Sequence, residues 1–123
     1  MTVFGIDYPT IDGSCVRDFI HVCDIAHAHT LAMQKLLKGN TLEQYEVFNL
    51  GTGNGVSVLQ AIHAFESESG TQLNYELGAR RAGDVVAIFA NKEKAAKHLN
   101  WQPQYTIQDI MKTAWEWEKK RSL

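Results

Sequence analysis

Four side chains carry charge at positions where local secondary structure supplies no reason for it. Arg17 stands inside a run of β-forming residues, and Arg80, Arg81 and Asp84 crowd the glycine-bounded stretch GARRAGD at residues 78–84. Neither stretch reads as helical, so helical spacing provides no neighbouring acid to explain the arginines. A guanidinium is permanently charged, planar and forked, and it pairs bidentately with the oxygens of a phosphate or carboxylate. Fixed arginines of this kind suit an anion such as a diphosphate, and Asp84 could accept hydrogen bonds from a sugar or ribose hydroxyl. A purely structural ion-pair network would use the same residues, and spacing alone leaves both readings open.

Other candidates are weaker. GTGNG at residues 51–55 follows an apolar stretch and precedes a helix, the place where free backbone N–H groups can cradle an anion. Its glycines match neither G-x-G-x-x-G nor the Walker pattern, because Val56 takes the last place and no lysine follows, so it reads as a connecting turn. Cys23 and His27 are four apart on one helical face, with His29 nearby. Only two of these share a face, whereas a transition-metal site wants three or four protein ligands, so no metal is expected. Trp115 and Trp117 read as one packing ring and one partly exposed ring. Cys15 and Cys23 have no zinc or disulfide-framework spacing.

Alternating strands and helices must position the arginines. Residues 2–4 form a short strand and 16–22 a second; Asp24 then caps a helix carrying Ile25, Ala28, Leu31, Ala32 and Leu36 to a stop at Gly39 and Asn40. Residues 45–50 read as a strand before the glycine loop. Ser57, with Gln60 three residues on, opens a helix that ends at Gly70. Residues 73–77 and 85–90 read as strands, 92–99 as a helix, and Thr106 caps the last helix. The expected class is α/β, or α+β for the chain taken by itself, in a single domain over residues 1–123. A chain of this length can bury about two-thirds of its unfolded surface.

Twelve basic against fourteen acidic residues give a net charge of -2, with no basic stripe for nucleic acid or anionic lipid. No apolar run approaches the roughly 18 residues of a membrane span. With no basic-then-apolar leader pattern, the expected compartment is the reducing cytoplasm.

Three blocks carry a resemblance: VFGIDYPTIDGSCVRDFIHVCDIAHAH, then VFNLGTGNGVSVLQAI, then RRAGDVVAIFANKEKAAKHLNWQPQYTIQDI. In order and spacing they are similar to the C-terminal third of the UDP-glucose 4-epimerases, members of the extended short-chain dehydrogenase/reductase group. The resemblance spans essentially the whole chain. It implies the nucleotide-sugar-binding part of an isomerase of galactose metabolism, without the Rossmann core that binds NAD. The arginine of the V-R-D block and the second arginine and aspartate of R-R-x-G-D, here Arg17, Arg81 and Asp84, would hold UDP. Thr2, Val3 and Phe4 would line the uracil site, with Phe4 offering an apolar face to the base. Asp18 follows Arg17 in a strand, points to the opposite face and is expected to be structural. Cys15 departs from the family, which usually has glycine there. Ile88, four residues after Asp84, stands where the family places tyrosine or a smaller residue, the choice that decides whether a 2-acetamido group fits. Isoleucine predicts some tolerance of UDP-N-acetyl sugars.

Family catalysis passes a hydride from the sugar to NAD and back, with a Tyr-x-x-x-Lys pair. None of Tyr8, Tyr45, Tyr75 and Tyr105 has lysine four residues later, and no dinucleotide fingerprint occurs. The chain alone is therefore expected to hold no catalytic residue, to carry no NAD and to be inactive. The alternatives are the corresponding part of a nucleotide-sugar dehydratase or decarboxylase, or a stand-alone nucleotide-sugar-binding protein. Surface that a Rossmann domain would cover is expected to drive self-association.

Overall fold

A computed structural model describes residues 1–39 and 45–121. The described elements are β1 (Thr2–Phe4), β2 (Val16–Arg17), α1 (Val22–Leu37), β3 (Val56–Ser57), α2 (Val58–Ser69), β4 (Glu76–Gly78), α3 (Glu93–Leu99) and α4 (Ile107–Arg121). The result is a small α/β domain with two minimal sheets. β1 pairs in parallel with β4, aligning Val3 with Leu77. β2 pairs antiparallel with β3 on one edge and meets Ala87 through a parallel bridge on the other. Arg17 therefore sits on a central strand, fixed from both sides.

Several expected strands shrink because their partners are short. The strand over 16–22 is only two residues long. Beyond Arg17 the Asp18 carboxylate turns toward the glycine loop, and His21 caps α1. The strand over 73–77 forms at Glu76–Gly78, where β1 is available. Among the described residues, 85–90 contribute one bridge, at Ala87, and 45–50 have no strand partner. Gly39, in the left-handed conformation, follows α1 as expected; Asn40 lies outside the described residues.

Asp24 is not the cap of α1. His21 is: its Nδ1 accepts from the Cys23 N–H at 3.0 Å. Asp24, 1% exposed, lies within the first turn, and its carboxylate accepts from the Gln104 N–H at 2.9 Å and the Tyr105 N–H at 3.3 Å. Those amides lead into α4 and have no helical partner of their own, so the buried acid joins the two ends of the domain. Beside it lies the core of Ala28, Ala95, Leu99 and Trp101, with Ile20, Leu31, Ala32, Phe48 and Leu50 packed on it. A second interface joins α2 to α4, where the Phe65 and Trp115 rings meet edge to face at 5.4 Å; Trp117 is 68% exposed.

Ser57 caps α2 in the expected capping box with Gln60, and Gly70 closes that helix in the left-handed conformation. Thr106 and Asp109 do the same for α4, the Thr106 hydroxyl accepting from the Asp109 N–H while the carboxylate accepts from the Thr106 N–H. The Ser57 cap is itself held. Its hydroxyl donates to one oxygen of Asp12, whose other oxygen accepts from the Ser14 N–H at 2.9 Å and the Ser14 hydroxyl at 2.7 Å. Burial pushes the Asp12 pKa up, but the hydrogen bonds from Ser57 and Ser14 outweigh it and hold the carboxyl below its ordinary value of 3.8. A depressed folded-state pKa contributes stability that is present above the unfolded value and lost as pH falls through the folded one. Asp12→Asn is therefore expected to be less stable than wild type at neutral pH and to converge with it below about pH 4. Urea denaturation at a series of pH values tests this; a stability difference independent of pH would refute it.

Candidate functional site

Arg17 leaves the central strand with its guanidinium already anchored: Nη1 donates to the Val16 carbonyl at 2.8 Å and to the Val85 carbonyl at 2.9 Å. Nη2 lies 3.6 Å from Asp84 Oδ1. Arg81 Nη2 reaches the same oxygen at 3.0 Å, with its guanidinium carbon 5.4 Å from the centre of the Phe4 ring. Arg17 thus meets the Arg81–Asp84 pair, more than 60 residues on in sequence, at one point, with Phe4 beside it. The Asp84 carboxylate is largely covered, while the Arg17 and Arg81 side chains are 30% and 64% exposed. Hydrogen bonding to Asp84, then its charge, raises the Arg81 pKa further. Two guanidinium groups against one carboxylate leave one positive charge, with hydrogen-bond donors still facing solvent. An anion arriving here meets one fork braced by two carbonyls and one exposed fork.

Next to Arg17, Asp18 ties the neighbouring segments together. Its Oδ1 accepts from the Thr52 N–H at 3.0 Å and the Thr52 hydroxyl at 2.8 Å, and its Oδ2 from the Ala90 N–H at 2.9 Å. This matches the structural role expected of Asp18, on the opposite face from Arg17. It also explains the glycine loop. The Thr52 amide is spent on Asp18, and the Thr52 carbonyl accepts from Lys92 Nζ at 2.7 Å, so GTGNG is built as a connector tied to two neighbours rather than an open anion cradle.

Arg80 faces elsewhere. Its Nε donates to Asp7 Oδ1 at 2.8 Å, Nη2 donates to the Asp7 carbonyl at 2.7 Å, and its guanidinium stacks 4.3 Å from the Tyr8 ring centre. Tyr8, 6% exposed, was not singled out by sequence; burial raises its phenol pKa first, and a hydrogen bond with the Cys15 thiol adds to this. The departure at Cys15 is absorbed by burial against Tyr8. The D-Y-P-T segment was the available signal: Asp7 and Tyr8 bind the first arginine of the R-R pair and leave the second to Asp84.

The remaining candidates divide. Thr2 and Phe4 share one face of β1, beside Gly78, where an added Cβ would lie 2.9 Å from the Thr2 methyl and 3.7 Å from the Phe4 ring. Val3 points the other way and is 1% exposed, so its side chain belongs to the core and only its backbone can meet a ligand. Ile88, 58% exposed, donates its N–H to the Val16 carbonyl at 3.1 Å, one residue from Arg17. Among the described residues no three His, Cys, Asp or Glu side chains are grouped to hold a metal, and no helix is long and apolar enough to cross a membrane.

A family model described as GDP-mannose 4,6 dehydratase matches residues 8–114. Among curated proteins, the chain is 43% identical over 120 residues to a bifunctional UDP-glucose 4-epimerase and UDP-xylose 4-epimerase of Arabidopsis thaliana, covering 98% of this chain and 34% of that protein. It is 42% identical over 118 residues to UDP-glucose 4-epimerase of Bacillus subtilis, covering 96% and 34%. The chain thus spans about a third of the length of these relatives. Among solved structures it superposes with a TM-score of 0.88 and 40% identity on UDP-glucose 4-epimerase from Bifidobacterium longum in complex with NAD+ and UDP, covering 98% of this chain and 35% of that one. The UDP-Glc/GlcNAc 4-epimerase of Campylobacter jejuni gives a TM-score of 0.86 at 41% identity, covering 98% and 36%.

Proposed function

The chain belongs to the extended short-chain dehydrogenase/reductase family whose model bears the name GDP-mannose 4,6 dehydratase, and from that premise we propose that it is the nucleotide-sugar-binding part of an NAD-dependent UDP-glucose 4-epimerase. The observation that carries the reading is the convergence of Arg17 and Arg81 on Asp84 beside Phe4. In this reading residues 1–123 are one C-terminal domain of a cytoplasmic enzyme of galactose metabolism. The diphosphate takes the two guanidinium forks, displacing part of their contact with Asp84, which then accepts a hydroxyl of the nucleotide. Phe4 and Thr2 present one face to the base, with Val3 contributing backbone. Ile88 borders the sugar and admits a 2-acetamido group more readily than tyrosine would.

NAD would supply hydride transfer, and the residues of this chain do not fit it. The amide of Thr52 in the glycine loop is already bonded, and no Tyr-x-x-x-Lys pair occurs. What this chain contributes is binding and orientation, which by themselves do not lower a chemical barrier.

Titration with UDP, by calorimetry or NMR, tests the site. A charge-assisted hydrogen bond contributes roughly 1.5–3 kcal/mol, less where solvent screens it. Arg17, braced by two carbonyls, is expected to matter more than the exposed Arg81: Arg17→Ala weakens binding about tenfold or more, Arg81→Ala severalfold, and Arg17→Lys does not restore the loss. Addition of NAD and UDP-galactose to the chain alone leaves turnover at background. Indifference of UDP binding to both alanine variants removes the arginines from the site, and sustained turnover overturns the division of labour.

A further inference from the structure

Arg80 is turned away from the point where Arg17 and Arg81 meet Asp84, onto a platform of its own. Its Nε donates to Asp7 Oδ1 at 2.8 Å, its Nη2 donates to the Asp7 carbonyl at 2.7 Å, and its guanidinium lies 4.3 Å from the Tyr8 ring centre. The platform is built into a tight turn. Tyr8 is buried, its N–H donates to the Gly13 carbonyl at 3.0 Å, and its ring lies so close to Gly5 that an added Cβ there would stand 2.2 Å from Cε2. Gly5 follows Phe4 directly, and its own N–H donates to the Gly78 carbonyl at 3.0 Å. Tyr8 and Arg80 thus close a link between the end of β1 and the loop that leaves β4. Within that loop, the backbone hydrogen bond from the Asp84 N–H to the Arg81 carbonyl at 3.2 Å closes a turn and reaches nothing outside it. Hydrogen bonding to Arg80 holds the Asp7 carboxyl below its ordinary value of 3.8, so both partners are charged at neutral pH.

We propose that Arg80 is a positioning residue of the nucleotide site: clamped by Asp7 and Tyr8, it holds the loop so that Arg81 faces Asp84 and an incoming diphosphate. This rests on the reading of Arg17 and Arg81 as the diphosphate forks. The geometry gives Arg80 no direct part in binding. Its Nε and Nη2 are engaged with Asp7 and its face with Tyr8, whereas Arg81 keeps donors toward solvent. Arg81 cannot order the loop by itself, because it is exposed and its partner Asp84 belongs to the same loop. The neighbouring residue can. An exposed ion pair alone contributes little, but here the guanidinium also holds a backbone carbonyl and lies over a buried ring, contacts that solvent screens less. A loop fixed before the ligand arrives does not lose that freedom on binding, and the diphosphate gains the difference. Lysine would keep the charge and lose the fork that reaches both Asp7 oxygens.

Calorimetric titration with UDP of Asp7→Ala and Arg80→Lys separates a clamp from mere positive charge near the site. Asp7→Ala makes the neighbourhood more positive and Arg80→Lys leaves its charge unchanged, so a field effect alone would tighten binding in the first and preserve it in the second. The clamp reverses both signs. Each variant is expected to raise the dissociation constant severalfold, and neither should weaken binding further once Arg81 is alanine, because the clamp acts through Arg81. Amide relaxation by NMR reads the loop without nucleotide: heteronuclear NOE values of residues 79–83 are expected to fall in both variants. Both side chains lie at the surface, and circular dichroism matching wild type shows that the variants fold. Unchanged or tighter UDP binding in either variant, while Arg17→Ala and Arg81→Ala still weaken it, overturns the clamp and leaves the site standing. Indifference of UDP binding to Arg17→Ala and Arg81→Ala removes the site, and the proposal with it. Relaxation values unchanged in both variants overturn the clamp whether or not UDP binds.

Discussion

Trp101→Ala is expected to cost about 3–5 kcal/mol, the range for emptying a large aromatic site in a packed interior. The side chain is 0% exposed and lies at the centre of the cluster that joins α1 to α3. Its indole Nε1–H also donates to the Asp24 carbonyl at 2.9 Å, the first link between α1 and the segment leading into α4. Small domains have total stabilities of roughly 5–15 kcal/mol, and the large partly exposed apolar side chains of this one place it toward the low end. The substitution should therefore abolish, or nearly abolish, cooperative unfolding at ambient temperature. Trp101→Phe separates the two contributions, since it keeps most of the volume and loses the donor; its cost is expected to be about 1–2 kcal/mol. Thermal and urea unfolding followed by circular dichroism decide the matter. An alanine variant unfolding with nearly wild-type stability would mean that the site collapses without consequence.

How far the sequence announces this structure depends on whether a signal is local. The caps of α2 and α4 are local: Ser57 with Gln60, and Thr106 with Asp109, close their hydrogen bonds within a single turn, and both are where the residue pattern puts them. Asp24 has an equally good cap composition, and it fails as a cap because the amides of Gln104 and Tyr105 need an acceptor from a segment some 80 residues away. Strands fare worst, since a strand exists only through its neighbour. Among the described residues, 45–50 have the strand alternation without a paired neighbour, and 85–90 find one at Ala87. In the site, opposite-facing side chains at Arg17 and Asp18 follow from strand periodicity alone. The division of labour between Arg80 and Arg81 does not, because it rests on Tyr8 and Asp7 at the other end of the chain.

Asp18 and Gly51 provide the sharpest test of how the fold holds the site. An added Cβ at Gly51 would stand 2.1 Å from Asp18 Oδ2 and 2.8 Å from the Ala90 Cβ, so the loop approaches the carboxylate as closely as only glycine permits. Asp18→Ala removes three hydrogen bonds and leaves the Thr52 and Ala90 amides without their acceptor, at an expected cost of about 2–4 kcal/mol. Gly51→Ala is expected to cost about 1–3 kcal/mol, because the new methyl drives the carboxylate off those same amides. The two losses overlap. Once Asp18 is alanine, the methyl no longer displaces a carboxylate and meets only Ala90, so the double variant should be more stable than the sum of the single effects implies, by about 1 kcal/mol. Urea unfolding of the four proteins measures the coupling. Because the Asp18 contacts hold the backbone on either side of Arg17, Asp18→Ala should also weaken UDP binding while Arg17 itself is intact. Strict additivity, with nucleotide affinity unchanged, would show that the glycine loop and the arginine site are mechanically separate.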